Sequence, residues 1–146
     1  SSSPAISENM VCVGSEDGNI YALDAASGAM IWRYQTSSYV SSTPLISGGR
    51  VYIGSGDGNL YALDAKTGAP VWTTRTRAGI SSSPFIDNGI VYSGTGDFAV
   101  DQDDCPRADA ELDMESADAV IFLVAGPDAS GNPIRFIKRI QGTFII

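Results

Sequence analysis

The sequence predicts an all-β protein built from repeated four-stranded antiparallel units, and three observations carry that prediction. Laid on itself with a shift of 40, the chain aligns residues 1–40 with 41–80 without a gap, and 20 of the 40 positions are identical. A third partial copy follows: Ser1-Ser2-Ser3-Pro4 returns as Ser41-Ser42-Thr43-Pro44 and again as Ser81-Ser82-Ser83-Pro84. Within each unit, short apolar runs alternate with Gly-rich turns, and no helical periodicity is present. Four-stranded antiparallel units recurring about every 40 residues are the sequence mark of propeller blades.

The second unit shows the reading most clearly. Its four strands are expected at about 43–47, 50–55, 59–65 and 70–74. The joints Gly48-Gly49, Gly56-Asp57-Gly58 and Lys66-Thr67-Gly68 are rich in residues that tolerate positive φ or form tight turns. Val71-Trp72-Thr73-Thr74 supplies the β-branched and aromatic residues that suit a pleated surface. The prolines stand at the start of each unit's first strand, where a missing ladder donor is tolerated. Asp24 and Asp64 open the last turn, Gly28 and Gly68 close it, and Trp32 and Trp72 follow at the same spacing. Each tryptophan offers a large apolar body and one N–H to satisfy, and is expected to pack between neighbouring blades. Tyr21, Tyr34, Tyr39 and Tyr61 either pack between sheets or line a binding surface.

The third unit begins on pattern and then departs from it. Gly94-Thr95-Gly96-Asp97 matches, but Phe98-Ala99-Val100-Asp101 replaces the next strand, and an acidic segment carrying Asp101, Asp103, Asp104, Asp109, Glu111, Asp113 and Glu115 follows. Strand character returns at Ala119–Ala125 and again from Pro133. Asp128-Ala129-Ser130-Gly131 echoes the Asp64–Gly68 turn, and Arg135 stands where tryptophan would. The chain is therefore one propeller segment, residues 1–146, with blades at about 1–40, 41–80 and 81–140 and an insertion at about 98–118. A loop of that length invites a functional reading. As a run of hard oxygens it could chelate calcium, but the Gly and closing Glu of an EF-hand loop are missing, and a charge run is ordinarily a solvated surface.

Composition narrows the function. Nine basic against 17 acidic residues give a net charge of −8, which disfavours nucleic acid and anionic lipid as partners. No run approaches the roughly 20 apolar residues that span a bilayer, and no signal peptide heads the sequence as written. Histidine is absent, so Ser-His-Asp and Cys-His catalysis and His-containing zinc sites are excluded. Cys12 and Cys105 could pair in an oxidising compartment, or stand as a core residue and a loop thiol.

The pattern Asn-Leu-Tyr-Ala-Leu-Asp-Ala, then Thr-Gly, then Val-Trp, resembles the β-propeller repeat of quinoproteins, the PQQ-like repeat. The family includes alcohol dehydrogenases holding PQQ and calcium at the propeller centre, and also non-catalytic scaffolds. Gly94-Thr95-Gly96-Asp97, followed by the Cys-containing insertion and Ser116–Val120, looks like a blade of polyvinyl-alcohol-type dehydrogenases. On that resemblance Asp97 falls where the family commonly places an Asn that ligates calcium, and a carboxylate suits the ion. On the repeat alone, Asp97 is a turn residue like Asp17 and Asp57. No adjacent cysteines, no match for the family's catalytic Asp or ligand Glu and no haem-attachment motif are present.

The resemblance implies a segment of a quinoprotein alcohol dehydrogenase lacking a complete active site of its own, active only within a larger chain or assembly; the alternative is a non-catalytic scaffold for protein or glycan. It implies a periplasmic or extracellular location. Three blades leave two raw sheet faces, so the expected partners are other blades: a dimer closing six, or the rest of a longer chain.

Overall fold

The computed structural model describes residues 2–76, 78–87 and 91–94 in full, and the strand course alone at 90, 95, 119–127 and 133–139. Twelve strands fill the described part, arranged as three four-stranded sheets. The first sheet holds β1 (Ala5–Ser7), β2 (Met10–Gly14), β3 (Asn19–Asp24) and β4 (Met30–Gln35) in sequence order. The second repeats it as β5 (Leu45–Ser47), β6 (Arg50–Gly54), β7 (Asn59–Asp64) and β8 (Pro70–Arg75). The third has β9 (Phe85–Asp87), β10 (Ile90–Thr95), β11 (Ala119–Pro127) and β12 (Pro133–Arg139). All-β, in four-stranded sheets at the period of the repeat, is the class the sequence predicts.

The registers of the first two sheets superpose by the same 40 residues. Cys12 pairs with Ala22 as Tyr52 pairs with Ala62, and both sheets slip at one place, between Ala22 and Leu23 and between Ala62 and Leu63. Period-two alternation then sorts each strand into two faces. Cys12, Ile20, Ala22, Trp32 and Val40 point forward and bury themselves against Val51, Ile53, Tyr61 and Leu63 of the second sheet. Tyr52, Leu60, Ala62, Trp72 and Ile80, the same positions 40 residues on, point forward to Val91 of the third. The core is thus two apolar layers, each pressed between neighbouring sheets of an open, incomplete ring.

The third sheet corrects one expectation. Its β9–β10 and β11–β12 pairs are antiparallel, but β10 and β11 run parallel, Ile90 beside Ala119 and Thr95 beside Val124. A fully antiparallel third blade is therefore not what forms. The reason lies in the connection: a parallel pair needs a crossover of about a dozen residues or more, which a tight turn cannot supply and residues 96–118 can.

Candidate functional site

Each of the first two blades has two ends, and its side chains fix both. At one end lie the β2–β3 and β6–β7 turns with Asp17 and Asp57. The Asn19 amide donates to Asp17 Oδ1 at 2.9 Å and the Tyr21 hydroxyl to Oδ2 at 2.6 Å. Asp57 repeats both bonds, from Asn59 at 2.9 Å and Tyr61 at 2.6 Å, and adds one from the preceding blade, the Ser37 amide at 3.0 Å. These bonds favour the charged carboxylate. The Tyr21 hydroxyl, then the Asn19 amide, hold the Asp17 carboxyl well below the usual carboxylate range. Burial pushes Asp57 up, but the bonds from Tyr61, Ser37 and Asn59 together outweigh it and leave it lowered. Burial first, and the Asp57 bond second, raise the Tyr61 phenol.

Asp97 continues this series at the same 40-residue step and lies outside the described residues, as does the acidic segment with Cys105. In the two turns that are described, the carboxylate is engaged in closing its own turn. Among the described residues no group of three His, Cys, Asp or Glu side chains comes together to hold a metal. The described carboxylates therefore do not by themselves assemble a calcium ligand set. Cys12 is fully buried in the layer between the first two sheets, where burial pushes its thiol up to about 12. At neutral pH such a thiol is protonated and inert.

At the other end are the β1–β2 and β3–β4 turns, and there a groove of about 600 Å³ opens between the first and second blades. Met10, Ile31, Ile46 and Ala65 give it an apolar floor, and Glu8, Asp24 and Lys66 stand on its rim. Asp24 is already engaged: its Oδ1 accepts from Ala26 and Ser27 within its own turn, and its Oδ2 from Asn9. The Ser27 bonds chiefly hold it low, as the amides of Lys66 and Thr67 do for Asp64.

Between the two ends runs the joint itself. Trp32 crosses from the first blade to the second, where its Nε1 donates to the Ala65 carbonyl at 2.9 Å. Its ring lies on Gly68, so closely that a Cβ there would sit 2.7 Å from two ring carbons. Gly68 also needs its positive φ of 73° to close the turn. Trp72 occupies the same place in the second blade, against Tyr52, with ring centroids 5.7 Å apart. Just ahead of the first strand of each sheet, Ser2 Oγ donates to the Ser42 carbonyl at 2.8 Å, and Ser42 Oγ to the Ser82 carbonyl at 2.9 Å. These serine stitches are a role the sequence reading missed. Their signal was present in the thrice-repeated Ser-Ser-x-Pro, a serine one blade apart each time.

The family model described as the outer membrane protein assembly factor BamB matches residues 1–58 and 46–111. The chain belongs to this PQQ-like propeller family. Among solved structures it is similar to BamB from Moraxella catarrhalis, 38% identical with a TM-score of 0.56 over 62% of this chain and 29% of that one. It is also similar to quinohemoprotein alcohol dehydrogenase ADHIIG from Pseudomonas putida HK5, at 31% identity and a TM-score of 0.57, covering 62% of this chain and 16% of that one. The quinohemoprotein alcohol dehydrogenase from Comamonas testosteroni gives 27% and 0.57, with the same shares covered. No curated protein matches the chain. The chain thus spans less than a third of the length of each of these structures, and it is a segment of a PQQ-like propeller. Among the described residues no helix is long and apolar enough to cross a membrane.

Proposed function

We propose that this chain is a wall-forming arc of a larger PQQ-like propeller, whose own side chains build the blade-to-blade joints rather than a catalytic centre. The observation that carries this reading is the joint: the same apolar layer, in register with the 40-residue repeat, recurs at both described junctions, with Trp32 Nε1 on the next blade's carbonyl at the first. The partners it calls for are further blades, either a second copy closing six or the rest of a longer chain. The likeness to an outer membrane assembly factor and to a quinohemoprotein alcohol dehydrogenase supports a periplasmic or extracellular location.

The test is to titrate the purified chain with PQQ and calcium and to follow bound-quinone absorbance and dye-linked alcohol oxidation. The arc reading expects neither from this chain alone. A bound quinone that oxidises alcohol would overturn it.

A second reading rests on Gly94-Thr95-Gly96-Asp97 and the likeness to two alcohol dehydrogenases: the completed ring holds PQQ and calcium, with Asp97 among the metal's ligands. It expects that activity to appear only once the ring is completed, and an Asp97→Ala change then to weaken calcium retention.

A further inference from the structure

At the groove between the first two blades the 40-residue repeat stops being faithful. On the second-blade wall the strand and turn keep it, residues 61–65 matching 21–25 letter for letter. The hairpin on the first-blade wall does not: Glu8, Asn9 and Met10 return as Gly48, Gly49 and Arg50. Glu8 holds a positive φ of 52°, where Gly48 takes 58° without a side chain to strain it. A glutamate in that region costs stability that glycine does not, and strain of this kind gathers at functional places. Met10, Ile46 and Ala65 floor the groove, and Ile31 joins them as the extra residue of the β3–β4 bulge. A bulge re-aims a side chain, and Ile31 is left 47% exposed, a large apolar group that its own chain does not cover. Across that floor stand two charges from different blades, Glu8 of the first and Lys66 of the second. Both are exposed, and among the described residues neither charged end has a hydrogen-bond or ion-pair partner. Asp24, by contrast, is already held by Asn9 and Ser27.

We infer that this groove seats an extended segment of a partner protein. An apolar side chain of the segment lies on the floor, between a basic residue facing Glu8 and an acidic one facing Lys66. The placement of the charges selects the occupant. A zwitterionic lipid headgroup or a free amino acid carries its two charges side by side. The groove sets its own on opposite walls, with apolar surface between them. A peptide chain spaces its charges in that way and brings the apolar group with them. The second junction has Gly48 for the glutamate and Arg50 for the floor methionine, so the repeat does not reproduce this chemistry there. The inference goes beyond the arc reading and is independent of how the ring closes, because two blades supply the whole groove.

The test uses the whole chain and a defined set of probes. These are capped hexapeptides, otherwise serine, with one leucine between one lysine and one glutamate, at every spacing and in both orders. Binding is followed by the amide resonances of Glu8, Met10 and Lys66. At least one peptide should bind with a Kd at or below about 1 mM, and lose about tenfold when serine replaces its leucine. Glu8→Lys should move the preference, by about tenfold, to peptides with a glutamate on each side of the leucine, and Lys66→Glu to those with two lysines. Glu8→Gly, the residue of the second blade, should weaken binding about fivefold while raising the urea midpoint, because it removes the carboxylate and the strain together. That variant keeps the test decisive if either charge reversal fails to fold. No binding by any member of the set overturns the inference, and so does binding indifferent to Glu8→Gly. Lost binding in a folded Glu8→Lys chain without the gain for two-glutamate peptides overturns it too. Phosphatidylcholine vesicles that shift the same resonances and displace the peptides also overturn it, because a lipid is then the occupant.

Discussion

Gly28 and Gly68 share a backbone conformation, with φ of 74° and 73°, and differ only in what lies above them. An alanine at either site strains the left-handed backbone by about 1 kcal/mol. At Gly68 the added methyl also meets the Trp32 ring at 2.7 Å, and overpacking of that kind costs about 1–3 kcal/mol more. Urea unfolding should therefore rank Gly68→Ala as the more damaging, by that margin. The tryptophans make a second matched pair. Trp32 Nε1 has the Ala65 carbonyl, whereas Trp72 Nε1 is buried with no partner among the described residues. Phenylalanine at either position keeps most of the apolar body, so Trp32→Phe should cost about 1 kcal/mol more than Trp72→Phe, the worth of one hydrogen bond. Equal losses would show that the bond contributes nothing. Asp57 supplies a pH dependence. Its carboxyl is lowered in the folded protein, so the stability it contributes is present above its unfolded value near 3.8 and is lost as the pH falls through the lower folded one. Asp57→Asn should flatten that part of a curve of urea midpoint against pH, modestly, since the group is partly solvated.

At the level of elements, the third sheet is where local preference and chain connection pull apart. β10 carries the same Val-Tyr-x-Gly motif that pairs antiparallel in β6, yet its partner β11 runs parallel. The hydrophobic pattern of a strand sets which residues face the core, but it does not set the direction of the neighbour; a tight turn restricts that neighbour to antiparallel, and a long connection permits a parallel one. Deleting residues 98–118 leaves too few residues for a crossover. The Ile90–Ala119 and Thr95–Val124 contacts should then vanish from nuclear Overhauser spectra, while those of β6 with β7 persist. Parallel contacts surviving the deletion would mean that side-chain packing, rather than the connection, holds β11 in place.

Over the whole molecule, the repeat converts local rules into one open surface. The forward faces of the first and second sheets are each covered by the next sheet, and the first sheet's rear face is left half-buried while its counterpart residues are closed off one blade later. An environment-sensitive apolar dye should bind the chain there. Leu23→Asp should lower its fluorescence about twofold while the Trp32 emission, which reports the joint between the first two blades, stays unchanged. Unaltered dye binding in Leu23→Asp would place the exposed apolar surface elsewhere.

The sequence by itself determined the fold class, the repeat and the strand positions of the first two blades, because strand propensity, alternation and turn residues are local and the 40-residue period reinforces each of them. It also placed the break in the pattern after Asp97. What only the tertiary structure decided is the particular contacts that join the blades, the Ala65 carbonyl beneath Trp32, the serine stitches and the groove between Met10 and Ile46, and, within the third sheet, the parallel run of β11. Those contacts join residues 29 to 40 positions apart, and no local pattern states which of two faces a neighbouring sheet will cover. The same physical reason makes the first sheet's rear face visible only now. Its residues read like any half-buried strand until the identical positions in the second blade show what covers them.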